Sequence, residues 1–305
     1  MSKKIILLAG PTASGKSKLA IHLAKKINGE IINADSMQVY KEFSILSSRP
    51  KQKDTKKINH HLYGIISAKK YFSTGHWLKL AKLKIKECLK LNKVPVIVGG
   101  TGLYFKAITK GISQIPEIDS KFRNKIRNLH FRIGQSKFYE RLLFLDPKVD
   151  GRIAPNDTQR TIRAYEVKLF TNKSLYEWAS NTRSDFLDFD IKKIFIDIPR
   201  EDLLKQIEKR TKLMFQNNCI GEVEKFLKLK INATLSANKI IGVREIINHL
   251  LGVTRLNETM DLINIKTRQY AKRQNTWSRG HMSSWNKVYS NDLSILIKKV
   301  LKLIS

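Results

Sequence analysis

The chain has 305 residues, enough to bury a substantial core and to form one large domain or two smaller ones. Its 42% of apolar residues exclude a disordered tail, and no apolar run reaches the ~18–20 residues that cross a bilayer. Lysine and arginine outnumber aspartate and glutamate by 58 to 26, a net charge of +32 spread along the sequence. A basic surface explains part of this excess. A polyanionic partner, nucleic acid first, explains the rest, because each phosphate that is neutralised releases counterions.

The N terminus and the cysteines predict the cellular setting. The apolar run "IILLA" that follows "MSKK" is too short for a signal peptide. Cys88 and Cys219 lie far apart without metal or redox spacing, and the sequence has no Cys/His cluster suited to zinc. A reduced, cytoplasmic protein without a membrane partner is therefore expected.

The first third of the chain predicts alternating strands and helices. Residues 3–9 predict a buried strand and residues 16–28 a helix, with a glycine-rich loop between them. A second short strand ends at Asp35, a helix follows over 76–91, and "VPVIVGG" predicts a third strand that is buried on both faces because it lacks alternation. This order indicates a parallel sheet with right-handed crossovers.

The rest of the chain is predicted to be mainly helical. Little strand signal occurs between 112 and 190, but "IKKIFIDIP" at 191–199 predicts a return to the sheet. We therefore expect an α/β fold with a P-loop NTPase-like core, whose parallel β-sheet is flanked by helices, and a mostly helical insertion. The core is predicted over 1–115 and 191–305, the insertion over 116–190, and further helices over 200–216, 220–230, 243–251 and 257–280.

The glycine-rich loop matches the P-loop pattern in full and lies between a strand and a helix, as that pattern requires. Successive backbone N–H groups and a helix N terminus would face one anion there. Lys16 would add a point charge on the terminal phosphate, and the Ser17 hydroxyl would be a ligand for Mg²⁺. The sequence thus predicts a di- or triphosphate site formed by Gly10, Pro11, Thr12, Ala13, Ser14, Gly15, Lys16 and Ser17.

The acid that an ATPase carries after its third strand is missing here. That strand ends in "GGTG", whereas Asp35 follows the second strand. Because strand ends at one edge of a parallel sheet face the same crevice, Asp35 should lie close to the loop. It would serve there equally as the base of a small-molecule kinase or as the base of a transferase whose nucleophile attacks a diphosphate ester.

Seven motifs occur in order along the chain: "GPTASGKS", "NADSMQVYK", "HHLYG", "VPVIVGGTGLYFKAI", "IAPNDTQRTIRAYEV", "IGVREI" and "TRQYAKRQNTWSRG". From residue 5 to about residue 288 they resemble the bacterial tRNA dimethylallyltransferases, also called tRNA isopentenyltransferases. The resemblance implies transfer of the dimethylallyl group of dimethylallyl diphosphate to N6 of adenine 37, next to the tRNA anticodon. It also implies Mg²⁺ as cofactor, no ATP hydrolysis and a monomer.

The resemblance further implies roles for individual residues. Asp35 would accept the proton of the adenine amine, Thr101 would lie between the diphosphate and the tRNA, and Lys16 would stabilise the leaving pyrophosphate. The Gln38 amide is able to pair with an adenine edge, and the insertion would contact the anticodon stem-loop. The residues implied to contact tRNA are Asp35, Ser36, Met37, Gln38, Thr101, Arg123, Gln159, Arg160, Thr161, Ile162, Arg163, Gly242 and Arg244.

Some residues and functions stay open. Trp277 is interpreted as a core residue, and His60 and His61 as capping or core histidines. The alternative function of a small-molecule kinase leaves the basic charge unexplained. An RNA-binding P-loop switch would need a Mg²⁺-holding acid where Gly99 stands. The C-terminal cations fall on several helical faces and cannot be ranked by sequence: Lys266, Arg268, Lys272, Arg273 and Arg279.

Overall fold

The computed structural model describes residues 3–51, 55, 56 and 58–305. The chain divides into two compact units, and the second is an insertion into the first. The first unit comprises Met1–Ile108 and Phe186–Ser305, and the second comprises Thr109–Asp185. The insertion predicted at 116–190 begins and ends a few residues later than this second unit.

The first unit contains a parallel sheet. Its strands are β1 (Lys4–Ala9), β2 (Gly29–Asn33), β3 (His60–His61), β4 (Val94–Gly99), β5 (Asp190–Ile196) and β6 (Asn286–Val288). In the described part of the chain they form one sheet in the order β3-β2-β4-β1-β5-β6, and every neighbouring pair is parallel. The predicted α/β class with a parallel sheet is confirmed.

Helices make up most of the remaining structure. In chain order they are α1 (Lys16–Lys26), α2 (Thr74–Lys90), α3 (Gly102–Lys110), α4 (Ser120–Ile133), α5 (Gln135–Leu145), α6 (Thr158–Thr171), α7 (Leu175–Ser180), α8 (Arg200–Gln216), α9 (Cys219–Leu227), α10 (Val243–Leu250), α11 (Leu256–His281) and α12 (Leu293–Ile304). No described helix combines the length and the apolar character that crossing a membrane would take.

The core of the first unit forms where the apolar strands meet the apolar faces of the helices. β1 and β4 are buried along nearly their whole length, as strands covered on both faces are. Leu19 and Leu23, one helical turn apart on α1, are fully buried in the same cluster as Ile6 of β1. This packing fixes the start of α1 against the end of β1, so the intervening loop lies at the carboxyl edge of the sheet.

The second unit is built from α4, α5, α6 and α7. Its apolar cluster includes Tyr139, Leu142 and Ala164. Side-chain caps start three of its helices: Asp119 accepts from the amide of Phe122, Asp157 from that of Arg160, and Ser174 from that of Tyr176. Caps of this kind satisfy amides that the first helical turn leaves without partners.

Most predicted elements are present, with shifted ends. The helix predicted over 200–216 has the same bounds as α8, and the strand predicted over 191–199 is β5. Elements absent from the prediction are β3, β6, α3 and α12. Two of them, β3 and β6, have only two and three residues, too few for an alternation pattern to be visible.

Candidate active site

The loop between β1 and α1 has the backbone of an anion site. Gly15 precedes α1 with a φ of 82°, and Ala13 has a φ of 63°; both values lie in the left-handed region, which glycine adopts without strain. Within the described residues, no side chain caps the start of α1. The amide groups at this helix N terminus are therefore directed at the space where a phosphate would bind.

Lys16 lies over this loop. Its Nζ donates to the carbonyl of Pro11 at 2.6 Å and lies 3.5 Å from the hydroxyl of Ser14. Burial lowers the pKa of Lys16 to about 8; the Asp35 carboxylate opposes this shift and the Arg210 guanidinium adds to it. The charge of Lys16 is thus influenced by one anion, Asp35, and by one other cation, Arg210. Its lowered pKa means that it binds its proton less tightly than a lysine in water does, and a bound anion would raise this pKa.

Asp35 follows β2 in a tight turn. Its Oδ1 accepts the amide of Met37 at 2.9 Å, and its own amide donates to Oδ1 of Asn33 at 2.9 Å. The Asp35 charge also acts on Arg210 and, after burial, contributes to raising the pKa of Tyr270. The carboxylate that was predicted near the loop therefore lies in the same crevice as Lys16.

Thr101 comes beside Asp35 because β4 is the neighbour of β2. A Cβ at Gly99 would lie 2.0 Å from the carbonyl oxygen of Ala34, so only glycine allows the ends of these two strands to approach so closely. The Thr101 Oγ1 accepts the amide of Ser36 at 2.9 Å and donates to the Ser36 hydroxyl at 3.3 Å. Tyr270 also forms a hydrogen bond with Thr101.

The side chains of Arg210 and Gln274 contact Thr12 of the phosphate loop. The sequence analysis identified neither of them as a site residue. Arg210 Nη1 donates to the Thr12 hydroxyl. The Gln274 Oε1 accepts the amide of Thr12 at 2.8 Å, while its Nε2 donates to the carbonyl of Gly100 at 2.8 Å. A Cβ at Gly100 would lie 2.2 Å from that Nε2. Gln274 therefore ties the phosphate loop to the loop that carries Thr101.

A cavity of about 250 Å³ opens beside these groups. Apolar and aromatic side chains form much of its wall, with Arg273 and Gln274 among its polar members. Trp277 was interpreted as a core residue, but it is half-buried, lines this cavity and stacks on His281 with ring centroids 4.3 Å apart. A Cβ at Gly102 would lie 2.3 Å from the Trp277 ring. The cavity suits a small apolar group next to the phosphate loop.

The segment that follows Asp35 is held in place by hydrogen bonds, several of them to Glu222 of α9. Ser36, Met37 and Gln38 are all partly exposed. Nε2 of Gln38 donates to the carbonyls of Ser47 and Ser48 at 2.9 and 3.2 Å. The buried Glu222 carboxylate accepts the amides of residues 44, 45 and 46 at 2.7–2.9 Å. Gln38 is therefore held by its amide nitrogen, and the hydrogen bonds of its side chain leave the amide oxygen available as an acceptor.

Two further predicted residues, Gly242 and Arg244, lie at the start of α10. Gly242 is buried with a φ of 104°, and its amide donates to Glu245 at 2.8 Å. Arg244 is exposed. Only the second of these residues therefore offers a side chain to a ligand.

The predicted residues of the second unit differ in exposure. Gln159 and Arg160 are exposed, whereas Thr161 is fully buried and its hydroxyl donates to the carbonyl of Asp157 at 2.8 Å. Ile162, Arg163 and Arg123 are partly exposed. Thr161 therefore belongs to the packing of this unit.

Two of the five C-terminal cations form ion pairs with glutamates. Lys266 pairs with Glu245, and Arg268 with Glu208 at 2.6 Å. Arg273 lines the cavity. Lys272 and Arg279 are exposed. Of these five, only Arg273 lies at the candidate site.

His60 and His61 lie on β3, at the edge of the sheet. Nδ1 of His60 contacts the carbonyl of Ile58 at 2.7 Å, and Nε2 of His61 contacts Glu30 at 2.7 Å. Cys88 donates to the same Glu30 oxygen at 3.5 Å. No spacing in the sequence indicates this His, Cys and Glu group, because its members come from three separate elements. Its internal hydrogen bonds satisfy a buried carboxylate, which is the role of core residues.

The parallel sheet, the loop at its edge and the acid beside it define an α/β protein with a P-loop-like core. The sequence model of the family described as IPP transferase matches residues 38–281. A relative from Pelagibacter ubique (strain HTCC1062), named tRNA dimethylallyltransferase, is 54% identical over 98% of this chain and 96% of its own length. The chain therefore belongs to the IPP transferase family.

Solved structures agree with this assignment. The full-length tRNA isopentenylpyrophosphate transferase of Bacillus halodurans superposes with a TM-score of 0.70 at 28% identity, covering 99% of this chain and 97% of that one. A eukaryotic dimethylallyltransferase captured acting on tRNA gives a TM-score of 0.77 at 27% identity, over 91% of this chain and 70% of that one.

Proposed function

We propose that this protein transfers a dimethylallyl group from dimethylallyl diphosphate to N6 of adenine 37 of tRNA, which yields N6-(dimethylallyl)adenosine and diphosphate. The observation that carries the proposal is the meeting of a P-loop with Asp35 and Thr101 beside a small, largely apolar cavity. The names of the relatives, which describe transfer of this group to tRNA, support it. They favour this reaction over phosphoryl transfer by a small-molecule kinase.

The diphosphate of the donor binds at the loop. Backbone amides at the start of α1, the Lys16 ammonium and the Arg210 guanidinium stabilise the charge that grows on the leaving pyrophosphate. Mg²⁺ suits the exposed Ser17 hydroxyl at this helix end, since a hard cation prefers oxygen and keeps several ligands from water and phosphate. When bound, the ion would supply further neutralisation of the diphosphate.

The transfer exchanges one bond for another. N6 of adenine attacks C1 of the donor, the bond between C1 and the bridging oxygen breaks, and its electron pair leaves with the pyrophosphate. The Asp35 carboxylate accepts the proton that N6 loses, and the Thr101 hydroxyl turns away from Ser36 to donate its hydrogen bond to the bridging oxygen. A general base of this kind contributes about 10²- to 10⁴-fold to the rate.

We assign the RNA contacts to those predicted residues whose side chains are at least partly exposed. An adenine in a stacked loop must be extruded before its N6 is reached, and the oxygen of Gln38 accepts its amine while Ser36 and Met37 line the approach. Arg244 in the first unit, and Arg123, Gln159, Arg160, Ile162 and Arg163 in the second, contact the anticodon stem-loop. A monomer is sufficient for this chemistry. A cytoplasmic location is supported by the two free, buried cysteines.

A single assay separates the candidate functions. Unmodified tRNA, Mg²⁺ and labelled dimethylallyl diphosphate are incubated with the protein, and ATP is added to a parallel tube. Label in tRNA without ATP is expected, and it should map to the adenine next to the anticodon. ATP turnover without labelled tRNA would contradict the proposal and favour the kinase or the RNA-binding switch.

A further inference from the structure

One carboxylate in the second unit holds three arginines. Glu166, on α6, is 1% exposed. Arg123 Nε lies 3.3 Å from its Oε2, Arg163 Nη1 lies 3.4 Å from the same oxygen, and Arg127 Nε lies 3.8 Å from Oε1. Arg123 and Arg127 come from one face of α4, and Arg163 comes from the same helix as the acid.

The charges in this group do not balance. A buried carboxylate is costly unless it is paired, and a single arginine in good geometry would pair it. Three guanidinium groups face this one carboxylate, so these four side chains together carry more positive than negative charge. The positive charge of the group faces the solvent. The side chains of Arg123, Arg127 and Arg163 are 22%, 40% and 39% exposed, whereas that of Glu166 is 1% exposed.

Such an arrangement suits an external anion. Guanidinium groups bind phosphate through their forked N–H donors, and they bind best when a neighbouring group holds them in a fixed orientation. Without an inner carboxylate, mutual repulsion would drive three arginines apart and into separate solvated rotamers. Arg160, on the same helix as Arg163, is exposed but lies 3.5 Å from Asp157 Oδ2, so it adds no net charge to the cluster.

We propose that Glu166 is a positioning residue, which gathers Arg123, Arg127 and Arg163 into one cluster that binds a backbone phosphate of RNA. The inference rests on the proposed function, since it deepens the RNA contact expected of this unit. It adds Glu166 and Arg127 to the residues that determine RNA affinity. The cluster acts on binding of the RNA and leaves the chemical step unchanged.

The test compares two substitutions that remove the same charge. In E166Q the side chain keeps its shape and loses the charge that orients the arginines. In E140Q the same change is made at an exposed position of α5, where Glu140 accepts a hydrogen bond from Ser136. Binding of a labelled anticodon stem-loop is measured by fluorescence anisotropy over a range of salt concentrations, and steady-state prenylation of tRNA is measured in parallel.

E166Q is expected to weaken RNA binding about tenfold and to lower the slope of log affinity against log salt by about one. The KM for tRNA should rise in proportion, while kcat and the KM for dimethylallyl diphosphate stay within about twofold. E140Q should bind RNA as well as the unaltered protein or more tightly. If E166Q behaves like E140Q, or binds RNA more tightly, Glu166 only offsets charge and the proposal is overturned.

Two measurements keep the result interpretable. Circular dichroism and thermal unfolding report whether E166Q is folded. If it is not, R127Q replaces it, because Arg127 is partly exposed and its loss should lower affinity and salt slope in the same way; unchanged binding by R127Q overturns the proposal. RNA binding is measured without the donor, so a wild-type protein that binds RNA but does not prenylate it contradicts the proposed function and leaves this inference standing.

Discussion

Lys16 is the lysine of the phosphate loop, and burial dominates its electrostatic environment. Burial holds the pKa of its ammonium near 8, and Asp35 counteracts part of that shift. A lysine with so low a pKa is protonated at neutral pH by a small margin. Phosphate binding at this loop is therefore tied to the protonation state of one side chain.

The pH dependence of donor use follows from this value. Below pH 8 Lys16 carries its charge and attracts the diphosphate; as the pH rises through about 8 the charge is lost. We expect kcat/KM for dimethylallyl diphosphate to fall above this pH by up to tenfold per unit, since this parameter reports the pKa values of the free enzyme. The measurement is the initial rate at low donor concentration between pH 6.5 and 10.

K16R serves as the control for this profile. Arginine stays protonated over the whole range, so the decline above pH 8 should disappear even if the absolute rate is lower. A K16R profile that still falls near pH 8 would show that another group titrates.

Asp35, which we propose as the catalytic base, also acts on the pKa of Lys16. D35N keeps an oxygen that can accept the amide of Met37, so the turn should persist, but it removes the proton acceptor. We expect kcat to fall about 10²- to 10⁴-fold. Because Asp35 raises the pKa of Lys16, the pH at which D35N loses affinity for inorganic pyrophosphate should also move lower. Binding calorimetry measures this shift, and a catalytic defect without it would mean that the two charges are not coupled.

Among the elements, α11 has the widest influence on the site. It contributes Gln274, which bridges Thr12 and Gly100, together with the cavity residues Tyr270 and Trp277. The phosphate loop follows β1 and the Thr101 loop follows β4, so a helix from the far end of the sequence fixes the distance between two strand ends. Pre-organisation of this kind stabilises a transition state without reorganisation during the reaction.

Loss of the Gln274 bridge should weaken binding of the donor more than binding of the tRNA. Q274M keeps the length of the side chain and removes two hydrogen bonds within the protein, which together contribute about 2 kcal/mol to holding the loops in place. If all of this energy is needed to order the loops for the donor, the loss corresponds to about thirtyfold in affinity. We expect the KM for dimethylallyl diphosphate to rise by about that factor while the KM for tRNA changes less than threefold. Q206M, at an exposed position of α8, is the matched control. Equal changes in both KM values would indicate a general loss of structure.

Some elements are far easier to predict from sequence than others. Strands such as β1 and β4 were predictable because a short, unbroken apolar run next to glycines is typical of a strand buried on both faces, and the phosphate loop because its pattern is local. Arg210 and Gln274 were not predictable as site residues, since the residue that each contacts, Thr12, lies 198 and 262 positions away along the chain. The helix α12 was not predicted, and although its apolar residues have helical spacing, nothing in that spacing says which face of the sheet it covers.

At the scale of the whole molecule, the chain enters and leaves the second unit at one place. A Cβ at Gly111 would lie 2.1 Å from the carbonyl oxygen of Arg183, and the hydroxyls of Ser113 and Thr182 lie 3.2 Å apart. Each unit also has its own apolar cluster. An insertion with adjacent ends and its own core can be removed with little strain on the rest.

Excision should therefore separate the two binding functions that we propose for the two units. A variant in which a short glycine-serine linker replaces residues 112–182 should fold and bind dimethylallyl diphosphate within about threefold of the full protein. Its affinity for tRNA should fall at least about a hundredfold, because the phosphate contacts proposed for the second unit are lost. Calorimetry with the donor and anisotropy with labelled tRNA give the two values. Undiminished tRNA binding would place the RNA contacts in the first unit alone.

The stacking of Trp277 on His281 has a practical consequence. Of the four tryptophans in the chain, Trp77 and Trp285 are buried in the first unit and Trp178 belongs to the second. All four lie in the described part of the chain, and among them only Trp277 borders the cavity with part of its ring open to solvent. We expect its fluorescence emission to change if the proposed prenyl donor enters this cavity, which would make donor binding observable in real time without any label.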